Sequence, residues 1–111
     1  MSFEIIPISP FQRQAKRLIK NFPSLKGELL NLIERLKDQP LQGTSLGDGC
    51  YKIRLSIGSK NKGKSGGARV ITCVYINENE LYLLSIYDKS ERSSLNDKEL
   101  KELITIVQEL K

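Results

Sequence analysis

At 111 residues, with 39% apolar and 28% charged side chains, the chain has the composition of one folded domain over residues 1–111, with a single modest core. Eighteen Lys and Arg against thirteen Asp and Glu leave a formal charge of +5, a balance that favours a polyanionic partner. The absence of histidine excludes a zinc site and a Ser-His-Asp triad, and no apolar run approaches the roughly 20 residues that a membrane-spanning helix needs. The N-terminus, MSFEIIPISP, lacks the charged and apolar regions of a secretory signal, which predicts a cytoplasmic protein. Cys50 and Cys73 match no metal-ligand spacing and read as small core residues in a reducing compartment.

Residues 3–8, rich in Phe and Ile, predict a first strand ended by Pro7 and Pro10. Ser9-Pro10-Phe11-Gln12 reads as a helix start, with serine capping, proline at the first helical position and Gln12 reaching back. Phe11, Ala15, Leu18, Ile19 and Phe22 then share one helical face, opposite Arg13, Lys16, Arg17 and Lys20. Pro23-Ser24 breaks this helix and caps a second, whose stripe is Leu25, Leu29, Leu32, Ile33 and Leu36; the tight connection predicts an antiparallel helical hairpin.

Residues 41–49 are turn-rich, after which the period changes from helical to alternating. In CYKIRLSI, residues 50–57, Tyr51, Ile53, Leu55 and Ile57 form a buried face, which leaves Lys52 and Arg54 side by side on the other. ARVITCVYI at 68–76 and LYLLSIY at 81–87 predict two more strands around a short turn. A final helix is capped by Asn96, with Glu99 three residues on and Leu95 placed to staple Leu100. The order is β-α-α-β-β-β-α, an α+β chain whose mainly antiparallel four-stranded sheet packs against the helical hairpin and the C-terminal helix, with helices expected on one face.

Residues 58–65, GSKNKGKS, match the phosphate loop of nucleotide hydrolases letter for letter. Such a loop must open a helix, because the helix N-terminus supplies the amides and partial charge that hold the phosphates. A β-rich run follows instead, so the chain is expected to bind no nucleotide cofactor. What remains is a glycine-rich hairpin loop with Lys60, Lys62 and Lys64, suited to following a phosphate backbone. Arg69 begins the next strand, near Lys52 and Arg54 if the two strands pair. Tyr87 ends the last strand and leads into Asp88-Lys89-Ser90-Glu91-Arg92. Four separated segments thus send cations and a phenol toward one sheet surface, while Glu91 reads more simply as a salt-bridge residue.

The succession CYKIRL, glycine-rich loop, GGARVI, strand, IYDKSER and capped helix resembles the RelE/ParE/HigB superfamily of bacterial type II toxins, and KGKSGGARVI is most similar to the HigB-like branch. The resemblance covers nearly the whole chain. It implies a RelE-like fold, ribosome-dependent cleavage of mRNA without a cofactor, and neutralisation by a cognate antitoxin, usually a helix-turn-helix DNA-binding protein. By position, Lys52 and Arg54 match the family's basic pair, Arg69 its phosphate-stabilising arginine, and Lys89 and Arg92 the basic segment after the last strand. The family's tyrosine beyond that segment is missing, since Ser93-Ser94-Leu95-Asn96 stands there; Tyr87 is the nearest phenol.

RNA cleavage without a metal needs a group to activate the 2′-hydroxyl, charge on the pentavalent phosphate and a proton for the leaving 5′ oxygen. Arg69 suits the second role; Lys52, Tyr87 and Glu91 are the candidate proton carriers. Two other readings share the basic face: a ParE-like toxin that poisons DNA gyrase, and a non-catalytic RNA- or ribosome-binding module.

Overall fold

The computed structural model describes residues 2–58 and 67–111. Its elements are β1 (Glu4–Pro7), α1 (Ser9–Asn21), α2 (Leu25–Asp38), β2 (Thr44–Gly47), β3 (Cys50–Leu55), β4 (Ala68–Tyr75), β5 (Glu80–Asp88) and α3 (Asp97–Leu110). The helices and the three long strands fall where the periodicity predicts.

The sheet has five strands in the order β1-β5-β4-β3-β2. Three antiparallel pairs run β2-β3-β4-β5, and β1 joins the far edge parallel to β5. The fifth strand, β2, lies in the stretch read as turn. Its four residues are all exposed and its pairing with β3 is bulged, so it carries neither alternation nor an apolar face. It forms because backbone groups on the edge of β3 would otherwise be unpaired.

Helices cover both faces rather than one. β4 and β5 are buried along almost their whole length, which an antiparallel strand with one wet face would not be. Tyr51, Ile53 and Leu55 face the helical hairpin, where α2 meets β3 and α1 lies on β5. α3 lies across the other face: Leu95 and Leu100 share a small cleft with Lys52 and Ile71, and Lys111 at its end sits 4.6 Å from the Tyr75 ring centroid. The core joins Phe11, Ala15 and Leu18 of α1 and Leu25, Leu29, Leu32 and Leu36 of α2 to the sheet. Both helical stripes are therefore packing surfaces.

The helix starts differ in part from the sequence signals. Ile8, not Ser9, caps α1, Ser9 is already helical, and Gln12 donates to the carbonyl of Pro7. At α3 the expected capping box is present, with Glu99 N–H donating to Asn96 at 2.8 Å and Asn96 N–H donating to Glu99 at 3.1 Å. No described helix is long and apolar enough to cross a membrane.

Candidate functional site

The register of the central strands decides which side chains meet. Arg54 of β3 stands directly opposite Arg69 of β4, and Arg69 directly opposite Tyr87 of β5. Paired residues on neighbouring strands present their side chains to the same face. Arg54, Arg69 and Tyr87 therefore form one row, roughly 10 Å wide for strands about 4.8 Å apart. Lys52 lies two residues from Arg54, on the same face and opposite Ile71.

This row is costly to the fold. Like charges directly opposite one another across an antiparallel pair repel. Arg69 is only 4% exposed, and among the described residues its guanidinium donates to a single neighbour, the Ala68 carbonyl at 3.1 Å. A buried guanidinium with five donors and no described carboxylate partner suits an anion from outside. Tyr87 is 5% exposed. Burial pushes its phenol above the ordinary value, against the pull of nearby Arg69 and Arg92, so it is a neutral hydroxyl at physiological pH. Its hydroxyl points to the Ser93 carbonyl at 3.5 Å, a long contact that a better acceptor could replace.

The segment after β5 frames the row. Asp88 is buried and accepts from the Ser90 amide at 2.9 Å and hydroxyl at 2.8 Å, which sets the turn. The Lys89 amide donates to Gly67 at 3.0 Å, tying the turn to the base of the glycine-rich loop. Glu91 takes the salt-bridge role, pairing with Arg17 of α1 at 2.9 Å, with both groups half exposed. Arg92 lies 5.6 Å from the Tyr87 ring centroid, but its donors go to the Ser94 carbonyl and to Glu99 of α3. The structure thus brings Lys52, Arg54, Arg69 and Tyr87 onto one surface, with Lys89 and Arg92 at its rim. Lys60, Lys62 and Lys64 lie outside the described residues.

Two supporting contacts carried no sequence signal: those of Gln14, and the hold of Glu99 on Arg92. Gln14 of α1 accepts from the Ser85 hydroxyl at 2.9 Å and the Ile86 amide at 3.0 Å, serving the edge of β5 beyond the end of β1. Glu99 holds Arg92 as well as completing the capping box, and the two bonds keep its carboxyl below the usual range. Most of the nucleotide-loop match, residues 59–65, lies outside the described residues; the strand β4, not a helix, begins at Ala68.

A mixed five-stranded sheet between a helical hairpin and a C-terminal helix is the architecture of a RelE-like toxin. The Escherichia coli toxin RelE, solved in the free state as a double arginine-to-alanine mutant, matches with a TM-score of 0.64 over 96% of this chain and 99% of that one, at 14% identity. The family model described as the RelE toxin of the RelE/RelB toxin-antitoxin system matches residues 9–111. The chain belongs to that family: it is a type II toxin, of the kind that acts by ribosome-dependent mRNA cleavage and is paired with a cognate antitoxin.

Proposed function

We propose that this chain itself cuts mRNA, without a metal, at the row formed by Arg54, Arg69 and Tyr87 with Lys52 beside it. The observation that carries the reading is the burial of Arg69 opposite a second arginine, an arrangement that disfavours the empty fold and favours a bound phosphate. The row offers no imidazole or carboxylate of its own for a divalent cation, which supports a reaction carried by its own side chains.

In the reaction the 2′-oxygen attacks phosphorus and loses its proton, the bond to the 5′ oxygen breaks, and that oxygen takes up a proton. The products are a 2′,3′-cyclic phosphate and a 5′-hydroxyl. Arg69 and Arg54 hold the two non-bridging oxygens as negative charge grows on them. Tyr87, a neutral phenol, is placed to protonate the leaving oxygen, and Lys52 serves the 2′-hydroxyl side. Arg92 stacks on Tyr87 and positions it. Such groups make a weak acid–base set, and the ribosome compensates by holding the mRNA in line, since orientation alone contributes on the order of 7–11 kcal/mol. In the same reading the protein is cytoplasmic, belongs to the HigB-like branch and is silenced by a helix-turn-helix DNA-binding antitoxin. A reading frame for such a protein beside its own would support this.

The test is incubation of the purified protein with ribosomes programmed with mRNA, followed by mapping of the new ends. Cleavage with cyclic-phosphate and 5′-hydroxyl ends is expected. Uncut mRNA with a folded protein overturns the proposal. DNA damage dependent on gyrase would then select the ParE-like reading, and salt-dependent RNA binding without cleavage would select the binding module.

A further inference from the structure

The two cysteines, which the cleavage chemistry does not use, are direct cross-strand neighbours. Cys50 at the start of β3 pairs with Cys73 in β4. The Val74 amide donates to the Gly49 carbonyl at 2.8 Å, which makes the next pair along, Gly49 with Val74, the hydrogen-bonded one. Pairs alternate along an antiparallel ladder, so Cys50 and Cys73 occupy a non-hydrogen-bonded position, where Cα atoms stand about 4.5 Å apart and side chains are closest. That separation lies inside the window of about 4.4–6.8 Å that a disulfide requires. Both sulfur atoms lie 3.9 Å from one acceptor, the Asp48 carbonyl, so both side chains are already turned to the same spot.

We propose that Cys50 and Cys73 are an oxidation site that closes reversibly into an intramolecular disulfide when the protein meets hydrogen peroxide. The two thiols are chemically unequal. Hydrogen bonds from the Cys50 thiol and the Tyr75 phenol hold the Cys73 thiol below its ordinary value, against the opposing effect of burial, whereas Cys50 is pushed up. Cys73 is accordingly the attacking sulfur. Its thiolate attacks one peroxide oxygen, the O–O bond breaks, and hydroxide leaves with a proton as water, giving a sulfenic acid at Cys73. The Cys50 sulfur then attacks Cys73, the S–O bond breaks, and a second water leaves as the S–S bond forms. Two thiols are oxidised and one peroxide is reduced to two waters.

Both sulfurs are shielded, with Cys50 0% and Cys73 2% exposed, so the reagent must be small. Asp48 and Tyr75, which touch the pair, also line an open cleft of about 580 Å³ against Lys101, Ile104 and Thr105 of α3. That cleft brings solvent to the residues beside the sulfurs. Neither cysteine belongs to a metal-ligating group among the described residues.

The experiment treats the folded, reduced protein with hydrogen peroxide and follows free thiols, intact mass and a non-reducing peptide map. Both thiols should disappear together, the mass should fall by two hydrogens, and the Cys50 and Cys73 peptides should be joined until dithiothreitol separates them. The bridged form should melt about 10 °C higher, because the cross-link closes a loop that spans β3 and β4. In Cys50→Ser, dimedone should trap a sulfenic acid at Cys73; Cys50→Ala serves if the serine variant does not fold. Oxidation of Cys73 to sulfinic acid in the wild type without a bridge, disulfides only between molecules, or reaction only after unfolding would each overturn the proposal. The outcome does not depend on mRNA cleavage.

Discussion

Replacing Arg69 by methionine should make the protein more stable and less active at once. Arg69 is 4% exposed, lacks a described carboxylate partner and faces Arg54 across the β3–β4 pair. With the charged ends splayed to roughly 8 Å and an effective dielectric of about 20–40, two unit charges repel by about 1–2 kcal/mol. Arg54 is exposed, and solvent screening brings the net value near 1 kcal/mol. Methionine keeps most of the aliphatic stem and removes the charge, so the thermal midpoint should rise by about 4 °C. Cleavage on the ribosome should fall about 10²–10³-fold, the usual cost of losing one group that stabilises transition-state charge. Inorganic phosphate should raise the midpoint of the wild type and leave that of Arg69→Met unchanged, because only the former keeps the proposed anion site. Calorimetry across a phosphate series and cleavage assays on the same preparations read all three. A variant that melts lower than wild type, or cuts mRNA within threefold of it, would show that Arg69 is a structural residue and refute the reasoning.

Tyr87→Phe keeps the ring beneath Arg92 and loses only a hydroxyl whose contact is long, so its midpoint should stay within about 2 °C of wild type while cleavage drops at least about tenfold. Gly67→Ala should destabilise by about 2 kcal/mol or more in urea titration, since its new Cβ would clash with the Leu55 carbonyl oxygen, and the next nearest atoms are backbone of Leu55 and Ser56 with little room to yield. The acid limb of stability should involve Glu99. Its carboxyl is depressed by Arg92 and by the Asn96 amide, so its contribution is present above the unfolded value near 4.5 and lost as pH falls through the lower folded value. Thermal midpoints measured from neutral pH to pH 3 should therefore fall less steeply in Glu99→Gln. A slope identical to wild type would remove Glu99 from the account.

Much of this architecture was legible because the apolar residues change period where the elements change. The stripes of α1 and α2 and the alternation through Tyr51, Ile53 and Leu55 are direct records of burial. β2 left no such record, because an exposed edge strand of Thr, Ser, Leu and Gly is held by backbone pairing and the sequence pattern reports side-chain burial. The parallel union of β1 with β5, and the placement of α3 on the far face, depend on contacts between distant segments that no local window contains. At the site, the pairing of Arg54 with Arg69 followed once β3 and β4 formed a hairpin. The work of Gln14 and the bond from Arg92 to Glu99 did not, because any polar residue on a helix surface reads alike until its partner across space is known.

The parallel edge has a consequence for when this toxin can exist. β1 is made first, yet its hydrogen-bonding partner, β5, is among the last segments made; Glu4 waits for Glu80 and Pro7 for Leu83. Tyr87, near the end of that same strand, joins the proposed cleavage row only then. A ribosome midway through this reading frame thus carries a chain whose proposed cleavage row is incomplete, and the interval before the final strand docks is the one in which a newly made antitoxin can arrive first.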